Sequence, residues 1–264
     1  MPRRSLSSLA GLVALSAGLA APGQAGAITG GQPDTAHPSV GLVRFTTVDG
    51  RFRCSGTLIS QTVVLTAGHC TEGPATQVFV SFDPQLRPDP LSTPSAAQDY
   101  ITGTAHPDPS WDGKLQFSKQ HDQGVVVLDA PASSKWPGIQ PAPLPPVGLL
   151  DGNQGQLKNA TFTLVGYGVD IGDRKASVPT QERRFTTSYL KNVGSEVITF
   201  QINGNDAKAG GGSCFGDSGG GVFLGPYVLG DASYVNSLTC NATGSYQRDD
   251  TLHSRAFLNG FVGG

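Results

Sequence analysis

The sequence predicts an all-β protein, and three observations carry that reading. Short runs rich in Val, Leu, Ile, Thr and Phe recur along the chain, each bounded by Gly, Pro, Asp, Asn or Ser. With 36 Gly and 19 Pro, the chain is dense in residues that interrupt helices and shape turns. No long segment keeps the apolar period of a helix. Many short strands with turns between them make a barrel or a sandwich.

Taken in order, residues 1–27 read as a secretory signal peptide. Arg3 and Arg4 precede an apolar run from Leu9 to Ala20, and Ala25-Gly26-Ala27 follows as a small-residue cleavage site. That run is too short to span a bilayer, and the residues flanking the two arginines do not fit a twin-arginine signal. The expectation is a secreted, extracellular protein beginning at Ile28. Strands are then predicted over Val40-Phe45, Phe52-Ile59, Thr62-Thr66, Val78-Phe82 and Val125-Leu128. Residues 137–150, with Pro137, Pro141, Pro143, Pro145 and Pro146, cannot form a central strand. They read as an extended connector between residues 28–136 and 151–264. The second part repeats the pattern over Phe162-Val165, Val197-Ile202, Gly221-Leu224 and Tyr227-Tyr234, and Arg255-Val262 could make a short terminal helix.

Composition excludes several functions. A net charge of −2 with 14% charged residues leaves no basic footprint for nucleic acid or an anionic membrane. Cys54, Cys70, Cys214 and Cys240 form no C-x-x-C pair, so zinc is not expected. In an exported chain they read as two disulfides, with three pairings open. No acidic loop stands out between Thr71 and Asp89, and neither a metal nor a cofactor is expected. Asn159-Ala160-Thr161 and Asn241-Ala242-Thr243 fit the glycosylation pattern.

The stretch SCFGDSGGG, residues 213–221, concentrates backbone freedom around Asp217 and Ser218. A serine hydroxyl is a poor nucleophile until a base takes its proton and a third group orients that base. Ser218 is the candidate nucleophile, and the N–H groups of Gly216 and Ser218 could face a developing oxyanion. The candidate base is His69 in VLTAGHC, directly after a β-like run. The candidate orienting acid is Asp122, just before the apolar run at Val125, where a buried carboxylate needs donors. Its rivals Asp108, Asp112 and Asp129 sit in turn-like contexts and read as solvated. His37, His106, His121 and His253 carry no such signal.

These stretches resemble the chymotrypsin/trypsin-like serine proteases. Ile28-Thr29-Gly30-Gly31 is similar to the family's I-V-G-G, and Thr66-Ala67-Gly68-His69-Cys70 to T-A-A-H-C. Asp122-Gln123-Gly124-Val125-Val126 resembles D-I-A-L-L, and Gly216 to Gly220 is G-D-S-G-G unchanged. Gly166-Tyr167-Gly168 is similar to G-W-G. The resemblance implies two six-stranded antiparallel β-barrels with the active site in the cleft between them. It implies a triad of His69, Asp122 and Ser218, with an oxyanion hole from Gly216 and Ser218. It also implies an ion pair between the freed Ile28 ammonium and Asp217, and disulfides Cys54–Cys70 and Cys214–Cys240.

For the substrate pocket the resemblance implicates Gly212, Ser213, Phe215, Ser233, Tyr234, Val235 and Thr251. Gly212 stands where trypsin has its aspartate, so a preference for Arg or Lys lacks a counter-charge. Val235 and Thr251 suggest an elastase-like shallow pocket for small aliphatic residues, with a chymotrypsin-like apolar preference second. The expected function is a secreted serine endopeptidase working through an acyl-enzyme. Its expected partners are polypeptide substrates and protein inhibitors, and its expected state is a monomer. The alternative is a catalytically inactive protease-like binding protein.

Overall fold

The computed structural model describes residues 28–262 apart from 74–76, 115–119, 153, 171–177, 180–181 and 207–208. The expected signal peptide, residues 1–27, lies outside the described residues. A short β1 (Gln32–Pro33) is followed by β2 (Val40–Thr47), β3 (Gly50–Ser60), β4 (Val63–Thr66), β5 (Gln77–Ser81), β6 (Ile101–Pro107) and β7 (Gly124–Leu128). From β2 onward these close into an antiparallel barrel in the order β2-β3-β4-β7-β6-β5. Closure follows from alternation: side chains at every second position point inward. Val43, Leu58, Val64, Val80 and Val126 therefore meet in one buried cluster.

The later strands are β8 (Phe162–Gly166), β9 (Val169–Asp170), β10 (Val178–Pro179), β11 (Arg184–Ser188), β12 (Leu190–Val193), β13 (Val197–Gln201), β14 (Gly221–Leu224), β15 (Tyr227–Val235) and β16 (Thr243–Arg248). Apart from the small β9–β10 pair, they join β1 in a curled antiparallel sheet, β1-β11-β8-β14-β15-β16-β13-β12. Its core gathers Phe162, Leu164, Ile198, Phe200, Leu229 and Tyr246. The fold is thus the expected pair of antiparallel β-barrels, the first closed and the second a curled sheet. Besides the two-residue β1, β9 and β10, four strands, β6, β11, β12 and β16, were not legible as apolar runs. Sequences such as RFTTS in β11 and TGSYQR in β16 are held by cross-strand pairing more than by apolar content.

The chain's two ends are exchanged between the halves. β1 pairs with β11, Gln32 opposite Phe185, so the start of the chain joins the second sheet. The C-terminal helix, Leu252–Val262, packs Phe257, Phe261 and Val262 against a core that includes Leu42, Leu65 and Val125. It is longer than the predicted Arg255-Val262 because Thr251 Oγ1 caps it, accepting the Ser254 N–H at 3.1 Å. No described helix is long and apolar enough to cross a membrane.

A buried latch fastens the junction. Arg183 Nε donates to Asp34 Oδ2 at 2.8 Å, and Arg183 Nη1 to the carbonyls of Val40 at 3.0 Å and Phe82 at 3.3 Å. Burying such a pair costs desolvation, which these hydrogen bonds offset. The disulfides are Cys54–Cys70 and Cys214–Cys240, as expected. Closing the first loop stabilises the fold by about 3 kcal/mol on a chain-entropy argument.

Candidate active site

The β4–β7 register builds the first half of the site. Thr66 lies opposite Gly124, so the turn after β4 and the residues before β7 leave the barrel side by side. That turn is a single 3-10 turn, Gly68–Cys70. It presents His69 to Asp122: the His69 N–H reaches Asp122 Oδ1 at 2.8 Å, and Nδ1 lies 2.9 Å from Oδ2. Asp122 is fully buried, and Ser233 Oγ donates to its Oδ2 at 2.5 Å. Gln120 Nε2 donates in turn to Ser233 Oγ at 2.7 Å. With Nδ1 facing a carboxylate, Nδ1 carries the proton and Nε2 is left as the acceptor. Burial pulls the His69 pKa down, but the hydrogen bond and charge of Asp122 and the charge of Glu72 outweigh it and hold it above its ordinary value.

Ser218 comes from the second half and is pinned from both sides. Its carbonyl accepts the Ser55 N–H at 2.7 Å, and the next residue, Gly219, donates to Ala232 O at 2.7 Å. Gly219 has φ +78°, and a Cβ there would lie 2.1 Å from Thr66 Oγ1, so only glycine lets this loop press onto the first barrel. His69 and Ser218 line one cleft of about 560 Å³ together with Phe45, Phe52, Arg53 and Glu72. The imidazole and the hydroxyl are not hydrogen-bonded to each other here. Such contacts tighten when substrate closes the site.

The backbone around Ser218 is set to receive an anion. The Val169 N–H holds the Phe215 carbonyl at 2.8 Å, and a planar trans peptide then turns the Gly216 N–H the opposite way. Among the described residues, neither the Gly216 nor the Ser218 N–H donates to a protein acceptor. Asp217 braces this loop. Its buried carboxylate accepts from the N–H groups of Gly168 at 2.6 Å and Cys214 at 2.8 Å, and from the N–H of Ile28. Cβ atoms on Gly166 or Gly168 would come within 2.2 and 2.4 Å of that carboxylate, which explains the Gly-Tyr-Gly turn. Burial pushes the Asp217 carboxyl up to about 7, opposed by these donors and by the charge of Arg53.

Beside Ser218 lies a pocket of about 230 Å³ lined by Ser213, Cys214, Phe215, Ala232, Ser233, Tyr234 and Val235. Tyr246 Oη donates to Ser213 Oγ at 2.9 Å. Two of the implicated residues are not brought there. Gly212 is paired with Thr29 and packed under Ile202, and Thr251 caps the C-terminal helix. Gly244 stands opposite Val235 in the sheet, and a Cβ on it would lie 3.1 Å from Ser213 Oγ; the gaps between β15 and the helix hid that register.

The rival carboxylates face elsewhere. Asp112 lies beside Lys114, and Asp129 accepts from Thr102. Asp108 is buried rather than solvated, because His253 Nε2 binds it at 2.8 Å beneath the terminal helix. Sequence reasoning missed Ser55, whose side chain joins Tyr167 and Gly216, and Gln120, which has no signal apart from its nearness to Asp122. Cys54, His69 and Cys70 are the one close group of three His, Cys, Asp or Glu side chains among the described residues, and a disulfide consumes both thiolates.

Comparison with known proteins agrees with this fold. The solved structure of HL collagenase is 19% identical, with a TM-score of 0.65, and the match covers 90% of this chain and 97% of that one. A thermostable serine protease from an extremophilic microorganism is 18% identical, with a TM-score of 0.62, covering 86% and 98%. A scabies mite inactivated protease paralogue is 17% identical, with a TM-score of 0.60, covering 89% and 99%. These likenesses concern the fold. Residues 28–251 match the family model described as trypsin, and the chain therefore belongs to the trypsin family of serine peptidases.

Proposed function

We propose that the mature chain is a secreted serine endopeptidase that cleaves after small apolar residues. Ser218 Oγ attacks the scissile carbonyl while His69 Nε2 takes its proton, and His69 later returns that proton to the leaving amine. Asp122 holds the imidazole in the tautomer that leaves Nε2 free and stabilises the imidazolium. The N–H groups of Gly216 and Ser218 receive the oxyanion. The single observation that carries this reading is the Asp122–His69 pair beside two backbone N–H groups without protein acceptors.

The pocket reading rests on its lining. Among the described residues no charged side chain lines the pocket, and Val235 stands in its wall, which favours Ala- or Val-sized side chains over Arg or Lys. One methylene there is worth only about 1–3 kcal/mol, so selectivity is broad. Removal of residues 1–27 would free the Ile28 ammonium to pair with Asp217, so export itself would complete the site.

A fluorophosphonate probe followed by peptide-library cleavage tests this. Labelling at Ser218 that is lost in Ser218→Ala, with cleavage after small apolar residues, is the expected result. Absence of labelling in protein that starts at Ile28 would favour an inactive binding protein. A dominant Arg/Lys profile would overturn the pocket reading.

A further inference from the structure

Behind the triad carboxylate, the facing surfaces of the two barrels are polar although wholly buried. Asp231 on β15 and Gln247 on β16 are directly opposite one another, and both have no solvent exposure. Asp249, just past β16, and Gln123, next to Asp122, are buried with them. Gln123 stands where the family segment D-I-A-L-L has an apolar isoleucine. Its Nε2 donates to Asp249 Oδ1 at 2.7 Å, and the same amide lies close enough to Asp231 to draw its carboxyl pKa down against burial. Among the described residues, both oxygens of Asp231, Oδ2 of Asp249, Oε1 of Gln123 and both amide atoms of Gln247 meet no protein partner within hydrogen-bonding geometry.

A native interior rarely leaves so many polar atoms unmet in one place. The charge is harder still to bury, since each carboxylate carries several kcal/mol of desolvation cost. Burial, with the charges of Asp249 and Asp122, holds the Asp231 carboxyl well above the usual carboxylate range. Burial and the charge of Asp250 do the same to Asp249, opposed through space by Arg255. Among the described residues no arginine bonds the pair. Arg248 is committed to Asp250 and Asp151, and Arg255 donates to the Pro145 carbonyl.

We propose that this junction binds one calcium ion through the carboxylates of Asp231 and Asp249 and the side-chain oxygens of Gln123 and Gln247. The donors are all oxygen, as a hard cation requires, and mixed carboxylate and amide ligands suit calcium better than magnesium, which keeps its waters. Two carboxylates balance a divalent charge. A single shared proton would balance one and leave both glutamine oxygens without a donor. All four residues are buried from solvent, so the ion is taken up as the barrels close and acts as a structural tie.

The mature protein, desalted from calcium-containing buffer, is assayed for bound metal by plasma mass spectrometry. Its Tm is measured with added calcium and with EDTA. The expected result is about one calcium per chain, with Tm raised by calcium and lowered by EDTA. Asp231→Asn and Asp249→Asn should lower calcium affinity about tenfold or more and flatten both Tm responses. Gln247→Leu supplies the same comparison if the aspartate variants do not fold. A metal-free wild type whose Tm ignores both reagents overturns the proposal. So does calcium that survives these substitutions, which places the ion elsewhere. A metal-free protein with a Tm that falls as pH rises, an effect erased by Asp231→Asn, assigns a shared proton and equally overturns it.

Discussion

Ser55 Oγ donates to the Gly216 carbonyl at 3.1 Å, so a side chain of the first barrel fixes a peptide in the nucleophile loop of the second. The same oxygen accepts the Tyr167 N–H at 2.9 Å. Ser55→Ala keeps the backbone bond to Ser218 but orphans both groups. Leaving a buried polar group unmet costs about 1–3 kcal/mol, to be read by urea denaturation. Loosening the Gly216 peptide should also lower kcat, by roughly tenfold if about 1.4 kcal/mol of oxyanion stabilisation is lost, with KM little changed. A fall in KM-controlled binding alone would assign Ser55 to substrate contact instead.

The His69–Asp122 pair sets a pH limb. The base must be neutral to accept a proton, so kcat/KM should rise with pH through the raised pKa of His69, above 6.5. Asp122→Asn removes the charge that opposes burial, and the limb should move to lower pH. Activity should fall about 10⁴-fold, the figure known for this substitution in the triad. Steady-state profiles of both proteins check this, and a limb that stays put would release Asp122 from its role.

Processing at Ile28 should be visible as a change in pH-dependent stability. While Ile28 is still a peptide, Asp217 meets backbone N–H donors, with its carboxyl at about 7. A carboxyl with a folded pKa above its unfolded value loses stabilisation as pH rises between the two. Protein extended at Ile28 should therefore become less stable from about pH 4 to about pH 7 and level off above it. Protein that begins at Ile28 has an ammonium to lower Asp217, and its slope over that window should shrink. Denaturation midpoints of both forms across pH make the comparison.

Val235 faces the pocket from β15, opposite Gly244. Val235→Gly should deepen the pocket and move preference toward Leu and Phe, changing kcat/KM ratios about 10–200-fold. Competing peptide substrates with different residues before the scissile bond give the ratio directly.

Much of the fold was legible because strands such as VVLT and GVVVL are apolar enough to declare themselves. β11 and β16 did not, since polar residues there satisfy partners that lie far along the chain. His69, Asp122 and Ser218 were recognisable from compact local motifs. Ser55 and Gln120 were not, because hydrogen bonds across the barrel junction leave no periodic trace in a sequence. Thr251 was misplaced for a related reason: without register, nothing said that Gly244 would stand opposite Val235.

The swap of the two chain ends has a consequence for biosynthesis. β1 finds its mate only when β11 has been made, and the first barrel receives its last covering only when the terminal helix has emerged. A ribosome-bound fragment thus lacks a finished interface however well its leading strands have paired.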